Sequence, residues 1–240
     1  MRELSGRVVG IENYRVAGGV EAQVLRVRIG EEFSFQPGQY VMLAEDGFRL
    51  RANPAELKWT SYSVCSSPLE KGVLEFVYTV KRTGGFTQHL AENVQEGHAL
   101  KIRGPFGRFV LDWNGRDKIF VATGAGIAPL LSMIRTLTRN GWQKPIRLFY
   151  GFRTGSHFLY RKELEGLRKL PQFRLHATIS REDPSWTGER GHVQKLLERA
   201  EFAPGKEEAY ICGNPEMVQE VRQFFVGKGF SPGTVRVEQW

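Results

Sequence analysis

Three stretches of this chain combine residue types and spacings that could do chemistry. Thr123-Gly124-Ala125-Gly126-Ile127-Ala128-Pro129 follows an apolar segment and opens a helical one. Glycine lets the backbone approach a ligand closely, and the amides of a helix start attract an anion, so pyrophosphate chemistry is expected there. Pro129 replaces the usual third glycine, and the next strand ends in Tyr150-Gly151-Phe152-Arg153 with no acidic residue. The motif is therefore not the ordinary dinucleotide fingerprint, and a tight turn that needs small residues for packing reads the same residues. Gly84-Gly85-Phe86-Thr87 precedes a short helix, so the amides of Gly85, Phe86 and Thr87, with the Thr87 hydroxyl, form a second candidate phosphate cradle. A hairpin turn followed by a helix cap accounts for the same four positions. In Thr60-Ser61-Tyr62-Ser63-Val64-Cys65-Ser66-Ser67-Pro68, hydroxyls flank an aromatic ring suited to lie beside a flat ligand; the plain alternative is a Ser/Thr-rich edge strand.

The elements around these stretches differ between the two halves of the chain. In the first, Leu25, Val27 and Ile29 alternate with arginines, and Leu74, Phe76, Tyr78 and Val80 keep the same period of two. Glycine and proline breakers separate such runs, which suggests short strands closing a small antiparallel β-barrel, interrupted by a helix near 87–93. From about Asp117 apolar runs alternate with helical segments: Ile119–Ala122, Ile146–Tyr150, Arg174–Ile179 and Glu208–Cys212 read as buried strands. Helices are expected over 129–138, 159–169 and 192–200, and one starts with Asn214 as cap and Pro215 in its first turn. The expected fold is thus two domains, a barrel over residues 1–112 and an α/β domain with a five-stranded parallel sheet over 113–240.

Composition narrows the function classes. The 240 residues are 41% hydrophobic and 25% charged, which is ordinary globular composition. The longest uncharged stretch, 119–134, is broken by glycines and Pro129 and falls short of the about 20 apolar residues of a membrane span. The first residues carry no secretion signal, so a cytoplasmic location is the expectation. Cys65 and Cys212 are too few for an iron–sulfur cluster or zinc ribbon, and the five histidines show no paired spacing, so no metal is expected. Of the net charge of +8, the second half holds +7, a basic excess suited to a phosphorylated ligand or an acidic protein. The barrel half is nearly neutral, which counts against nucleic acid.

The order of motifs resembles the ferredoxin–NADP reductase family of flavoproteins. The likeness rests on Phe35-Gln36-Pro37-Gly38-Gln39-Tyr40, Tyr62-Ser63-x-x-Ser66, Gly84-x-x-Thr87, Gly104-Pro105-Phe106-Gly107, Thr123-Gly124-x-Gly126-x-x-Pro129, Tyr150-Gly151-x-Arg153, Cys212-Gly213-x-Pro215-x-Met217 and Val237-Glu238-Gln239-Trp240. It implies a flavin held by Thr60, Tyr62, Ser63 and Val64, with Tyr62 on the isoalloxazine, Ser63 near its N5, and Gly84, Gly85, Phe86 and Thr87 on the pyrophosphate. It further implies that Thr123, Gly124, Gly126, Pro129, Cys212 and Gly213 hold a nicotinamide nucleotide, with Ser63, Cys212 and Glu238 as catalytic residues and Trp240 stacked over the flavin or its adenine. One position departs, because Thr60 stands where the family has an arginine facing the flavin pyrophosphate; either Lys58, Arg51 or Arg82 supplies the missing charge, or the site favours a flavin without the full adenylate half. FAD is expected ahead of FMN.

The nucleotide expected is NADP(H) rather than NAD(H), since Ser180-Arg181 follows a strand as in NADP-using members, with Arg153 and Arg190 as further phosphate partners. Ser185-Trp186-Thr187-Gly188-Glu189-Arg190-Gly191 also resembles NADH-using oxygenase reductases. The reaction implied is hydride transfer between NADP(H) and FAD, with single electrons passing to an acidic ferredoxin or flavodoxin. The alternatives are an NADH-dependent oxygenase reductase component and an electron-transfer subunit of a larger flavoprotein complex.

Overall fold

The computed structural model describes residues 2–16, 18–30, 32–49, 53 and 55–239. They divide into two compact units, 1–111 with 131–139, and 112–130 with 140–240.

The first unit holds β1 (Arg2–Val16), β2 (Gly19–Ile29), β3 (Tyr40–Ala44), β4 (Thr60–Ser63), β5 (Val73–Thr79), α1 (Phe86–Asn93) and β6 (Ala99–Phe106). The strands form one antiparallel sheet in the order β4-β3-β6-β1-β2-β5. The period of two has its expected consequence: Leu25, Val27 and Ile29 are buried while Arg28 is exposed. Beyond β4, the Cys65 N–H donates to the Glu75 carbonyl at 2.7 Å, so the chain lies alongside β5 and nearly closes the sheet into a barrel. Leu25, Leu43, Phe76, Leu90 and Leu100 fill the interior with no exposed surface, each contributing about 1.5–3 kcal/mol by its burial. Residues 131–139, the larger part of α2 (Ile127–Arg139), belong to this unit. There Ser132 Oγ donates to the Ser66 carbonyl (2.7 Å), and Glu75 receives both Arg135 (2.7 Å) and Arg26 (2.6 Å).

The second unit contains β7 (Asp117–Thr123), β8 (Ile146–Phe152), α3 (Arg161–Leu167), β9 (Phe173–Ile179), β10 (Glu189–Arg190), α4 (Val193–Glu198), β11 (Glu207–Gly213), α5 (Pro215–Gly227) and β12 (Val235–Gln239). Its sheet is parallel throughout, in the order β10-β9-β8-β7-β11-β12. The sheet has six strands where five are expected: β7, β8, β9 and β11 are the four whose apolar runs mark them, while β12 and the two-residue β10, too short to leave a hydrophobic signature, are not among them. Ile119 to Ala122 and Ala209 to Cys212 have no exposed surface, because a parallel sheet covered by helices reads as continuous apolar runs. Helices α3 and α4 are shorter than the apolar pattern suggested, at 161–167 and 193–198. The cap of α5 is as expected, with Asn214 Oδ1 accepting from the Glu216 (2.9 Å) and Met217 (3.3 Å) amides and Pro215 in the first turn.

At the amino ends of β7 and β11, fully buried Lys118 donates to Glu208 (2.5 Å), the Asp112 carbonyl (2.9 Å) and Asn114 Oδ1 (3.1 Å). A buried ammonium is tolerated only when paired and hydrogen-bonded in this way. The carboxyl ends of the same strands are left to the glycine-rich turns.

Candidate functional site

In the barrel unit, β4 pairs with β3 so that Thr60 faces Leu43, Tyr62 faces Val41 and Ser63 faces Tyr40. Alternation sends Tyr62 into the interior, 5.3 Å edge-on from Tyr78 and 6.2 Å from Phe86. Ser63 and Val64 are buried beside it, and the Val64 N–H donates to the Gln39 carbonyl (3.1 Å). Burial raises the Tyr62 phenol far above its ordinary pKa. The Tyr62 hydroxyl and the Thr60 Oγ1 are both buried with no hydrogen-bond partner among the described residues. Leaving two such groups unpaired costs about 1–3 kcal/mol each, a cost that hydrogen bonds from a polar ligand would offset.

The second expected cradle lies at the start of α1. Gly84 adopts φ +70°, and its N–H donates to Gln88 Oε1 (2.9 Å). Gly85 is the N-cap without a capping side chain, and no acidic residue sits in the first turn. The amides that open the helix therefore lack an intrahelical acceptor, which suits a phosphate group. Thr87 Oγ1 accepts from the Lys81 N–H (3.1 Å) and retains its own proton to donate. Phe48 packs on Phe86 at 5.2 Å, with Lys58 Nζ 5.9 Å from the Phe48 ring, so a cation stands near this helix start. Arg82 is turned to the Gly18 carbonyl, and Arg51 and Trp240 lie outside the described residues. Uncapped amides and orphaned hydroxyls together fit a flavin that carries a ribityl chain and a pyrophosphate.

In the second unit the glycine turn separates into two roles. Gly124 has φ +53°, and a Cβ there would meet open space; its carbonyl accepts from the Tyr150 hydroxyl at 3.0 Å. Gly126, by contrast, is packed against β11, where a Cβ would lie 2.5 Å from the Cys212 carbonyl oxygen and 2.6 Å from the Gly213 Cα. Gly126 is thus required by packing, and Gly124 is the glycine that faces open space. Thr123 Oγ1 accepts from the Asn214 N–H (3.0 Å), tying the turn to the start of α5. Pro129 lies in the first turn of α2, where no acidic side chain opposes an anion. Thr123, Gly124, Gly126, Cys212, Gly213 and Glu238 are so gathered at the carboxyl ends of β7, β11 and β12.

Further along that edge, the Ser180 N–H donates to the Phe152 carbonyl and the Arg181 N–H to the Arg153 carbonyl, both at 2.9 Å. Arg153, Ser180 and Arg181 are brought side by side and exposed. Arg190 is committed elsewhere, donating to the Asp183 (2.9 Å) and Trp186 (2.7 Å) carbonyls. Sequence reading passed over Asp183, whose carboxylate accepts from the Gly155 N–H (2.8 Å), the Ser185 N–H (2.9 Å) and the Ser185 hydroxyl (2.6 Å). These bonds hold its pKa below the usual carboxylate value. The Asp183-x-Ser185 spacing signals the local turn, but the reach to Gly155 is tertiary.

A glycine-bearing barrel with an open helix start, and a parallel sheet whose carboxyl edge carries a second such turn, define an oxidoreductase that binds a flavin and a pyridine nucleotide. The family described as "Oxidoreductase FAD-binding domain" matches residues 12–111, and that described as "Oxidoreductase NAD-binding domain" matches 120–223. The chain is 34% identical over 221 residues to Ferredoxin–NADP reductase B of Sorangium cellulosum, covering 88% of this chain and 87% of that protein. It is 30% identical over 237 residues to the ferredoxin–NAD(P)(+) reductase component of the naphthalene 1,2-dioxygenase system of Pseudomonas putida, covering 96% and 67%. Among solved structures, a ferredoxin NADP+ reductase from Neisseria gonorrhoeae with bound FAD and NADP superposes with a TM-score of 0.85 at 19% identity, covering 100% of this chain and 99% of that one. The chain spans 54–55% of the length of several oxygenase reductase and electron-transfer components. It belongs to the ferredoxin–NADP reductase-like family of flavoenzymes, with an FAD-binding and an NAD-binding domain.

Proposed function

We propose that this protein oxidises NADPH in preference to NADH and delivers single electrons, by way of FAD, to an acidic ferredoxin or flavodoxin. The observation that carries the reading is the cluster of exposed Arg153, Ser180 and Arg181 at the joined carboxyl ends of β8 and β9. Two guanidiniums and a hydroxyl in one place suit a 2′-phosphate, which arginine binds through a two-pronged fork. Asp183 is spent on its three hydrogen bonds rather than offered to a ribose.

FAD, when bound, supplies the exchange between a hydride and single electrons. The chain's own residues bind and orient. Thr60 and Tyr62 give their unpaired hydroxyls to the flavin, Ser63 and Val64 line its ring, and Gly84, Gly85, Phe86 and Thr87 receive its pyrophosphate. Gly124 opens the second turn to the nucleotide phosphates, while Thr123, Gly126, Pro129 and Gly213 hold that turn in shape. Cys212 and Glu238 flank the nicotinamide, where Glu238 has a carboxylate able to hold or move a proton. The +7 charge of residues 113–240 attracts an acidic partner.

A second reading, an NADH-dependent reductase component of an oxygenase, draws on the 96% coverage by the naphthalene dioxygenase reductase and on the ordered loop in which Trp186 Nε1 donates to the Glu189 carbonyl (2.9 Å). An anaerobic titration of the flavin absorbance with NADPH and NADH in parallel tests the two. Faster bleaching by NADPH upholds the first reading, and faster bleaching by NADH replaces it with the second.

A further inference from the structure

The second unit has a cavity of about 730 Å³ along the outer edge of β9, walled in part by the 185–189 segment on which the NADH reading draws. Arg153, Ser180 and Arg181 are absent from its lining, which instead takes Arg147 from β8, Arg161 and Arg168 from α3 and its end, His176 from β9, and Arg199 after α4. The opposing carboxylates in the lining are Glu165, Glu189 and Glu201. Two of these are paired, Glu165 with Arg161 at 2.8 Å and Glu189 with Arg199 at 3.0 Å. Arg147 is held by Glu207 (2.5 Å) and the Glu201 carbonyl (2.9 Å).

Arg168 is different. It donates to the Leu175 carbonyl at 2.8 Å and has no carboxylate partner among the described residues. A guanidinium has five N–H donors, so most of this fork remains for another acceptor. His176 lies flat against Phe149, with ring centroids 4.6 Å apart and an interplanar angle of 10°. Burial, then the charges of Arg147 and Arg168, hold its imidazole below the usual pKa. It is a neutral ring set among cations, and a negative ligand would relieve both the unpaired guanidinium and the cost of protonating the ring.

The edge itself is partly occupied. β10 pairs with Thr178 and Ile179 only, and Arg168 occupies the outward carbonyl of Leu175 below them. A small molecule fits better than a peptide, and the volume lies within the about 300–1,000 Å³ of small-molecule sites.

We propose that this cavity binds a small polyanion, a phosphate ester or a polycarboxylate, through Arg168 and His176 with Arg147 behind them. The site shares the 185–189 segment with the NADH reading but none of Arg153, Ser180 and Arg181, and the His176 response tests it separately from either nucleotide preference.

The test follows the His176 ring proton by NMR in the full chain, assigned with His176→Gln, during titration with inorganic pyrophosphate and with citrate. The expected result is a saturable shift with Kd below about 1 mM, with the His176 ring titrating at higher pH once the probe is bound, because a nearby anion favours the charged ring. Whichever probe binds more tightly identifies the phosphate or the carboxylate class. Arg168→Gln, an exposed substitution, should weaken binding about tenfold or more and leave NADPH oxidation unchanged. Arg181→Ala should leave the His176 response intact. The proposal is overturned if His176 responds to neither probe, or responds equally in Arg168→Gln.

Discussion

Cys212 and Glu238 stand opposite one another on adjoining parallel strands, at the carboxyl ends of β11 and β12, with Gly213 facing Gln239 one step further. They lie 26 positions apart in sequence, and only the pairing of the last strand brings them together. Glu238→Gln should slow turnover on the order of 100-fold, the scale of a lost proton-handling group, with FAD content unchanged. Steady-state and rapid-reaction kinetics beside a flavin absorbance spectrum check this, and unaltered turnover would remove Glu238 from the mechanism.

Arg181 is joined to Arg153 through the backbone at 2.9 Å. Arg181→Ala should raise KM for NADPH roughly 10- to 100-fold, the value of charged hydrogen bonds to a phosphate, and barely change KM for NADH. Equal effects on both nucleotides would mean that this arginine does not read the 2′-phosphate.

Tyr62 yields a prediction of opposite sign in two states. Its hydroxyl is buried and unpaired among the described residues, so Tyr62→Phe should stabilise the flavin-free protein by about 1 kcal/mol while weakening FAD binding. Thermal unfolding with and without FAD separates the two effects. Destabilisation of both forms alike would show that the hydroxyl serves the barrel and not the cofactor.

The two glycines of the turn after β7 should respond differently to alanine. At Gly126 the new methyl meets the Cys212 carbonyl at 2.5 Å, and overpacking of that kind costs on the order of 3 kcal/mol of stability. At Gly124 it enters open space but at φ +53°, costing about 1–2 kcal/mol and obstructing the nucleotide. Gly124→Ala should therefore lose pyridine-nucleotide affinity with modest loss of stability, and Gly126→Ala should lose stability first; denaturant melts and nucleotide titrations of both variants decide.

His176 makes stability depend on pH. Its folded-state pKa is lowered by burial and by Arg147 and Arg168, so the unfolded chain binds the proton more readily. Stability should fall as pH drops below the unfolded value of about 6.5 and level off below the folded one. His176→Gln should remove that slope from a series of denaturant melts, and an unchanged slope would place its origin elsewhere.

Much of this was legible in the residues. Alternation in β2 and β5, the unbroken apolar runs of β7 and β11 and the Asn214-Pro215 cap are local patterns, because each strand or helix writes its own period into the chain. The same holds for the family likeness, carried by short motifs in order. The division of labour between Gly124 and Gly126, the orphaned hydroxyls of Thr60 and Tyr62, the commitment of Arg190 to its own loop and the cavity beside His176 were not legible. Each depends on which groups from distant segments fall within a few ångströms of one another. Local periodicity determines which elements form and which face they bury, whereas the space, the unpaired donor and the unbalanced charge that make a site exist only after those elements have packed.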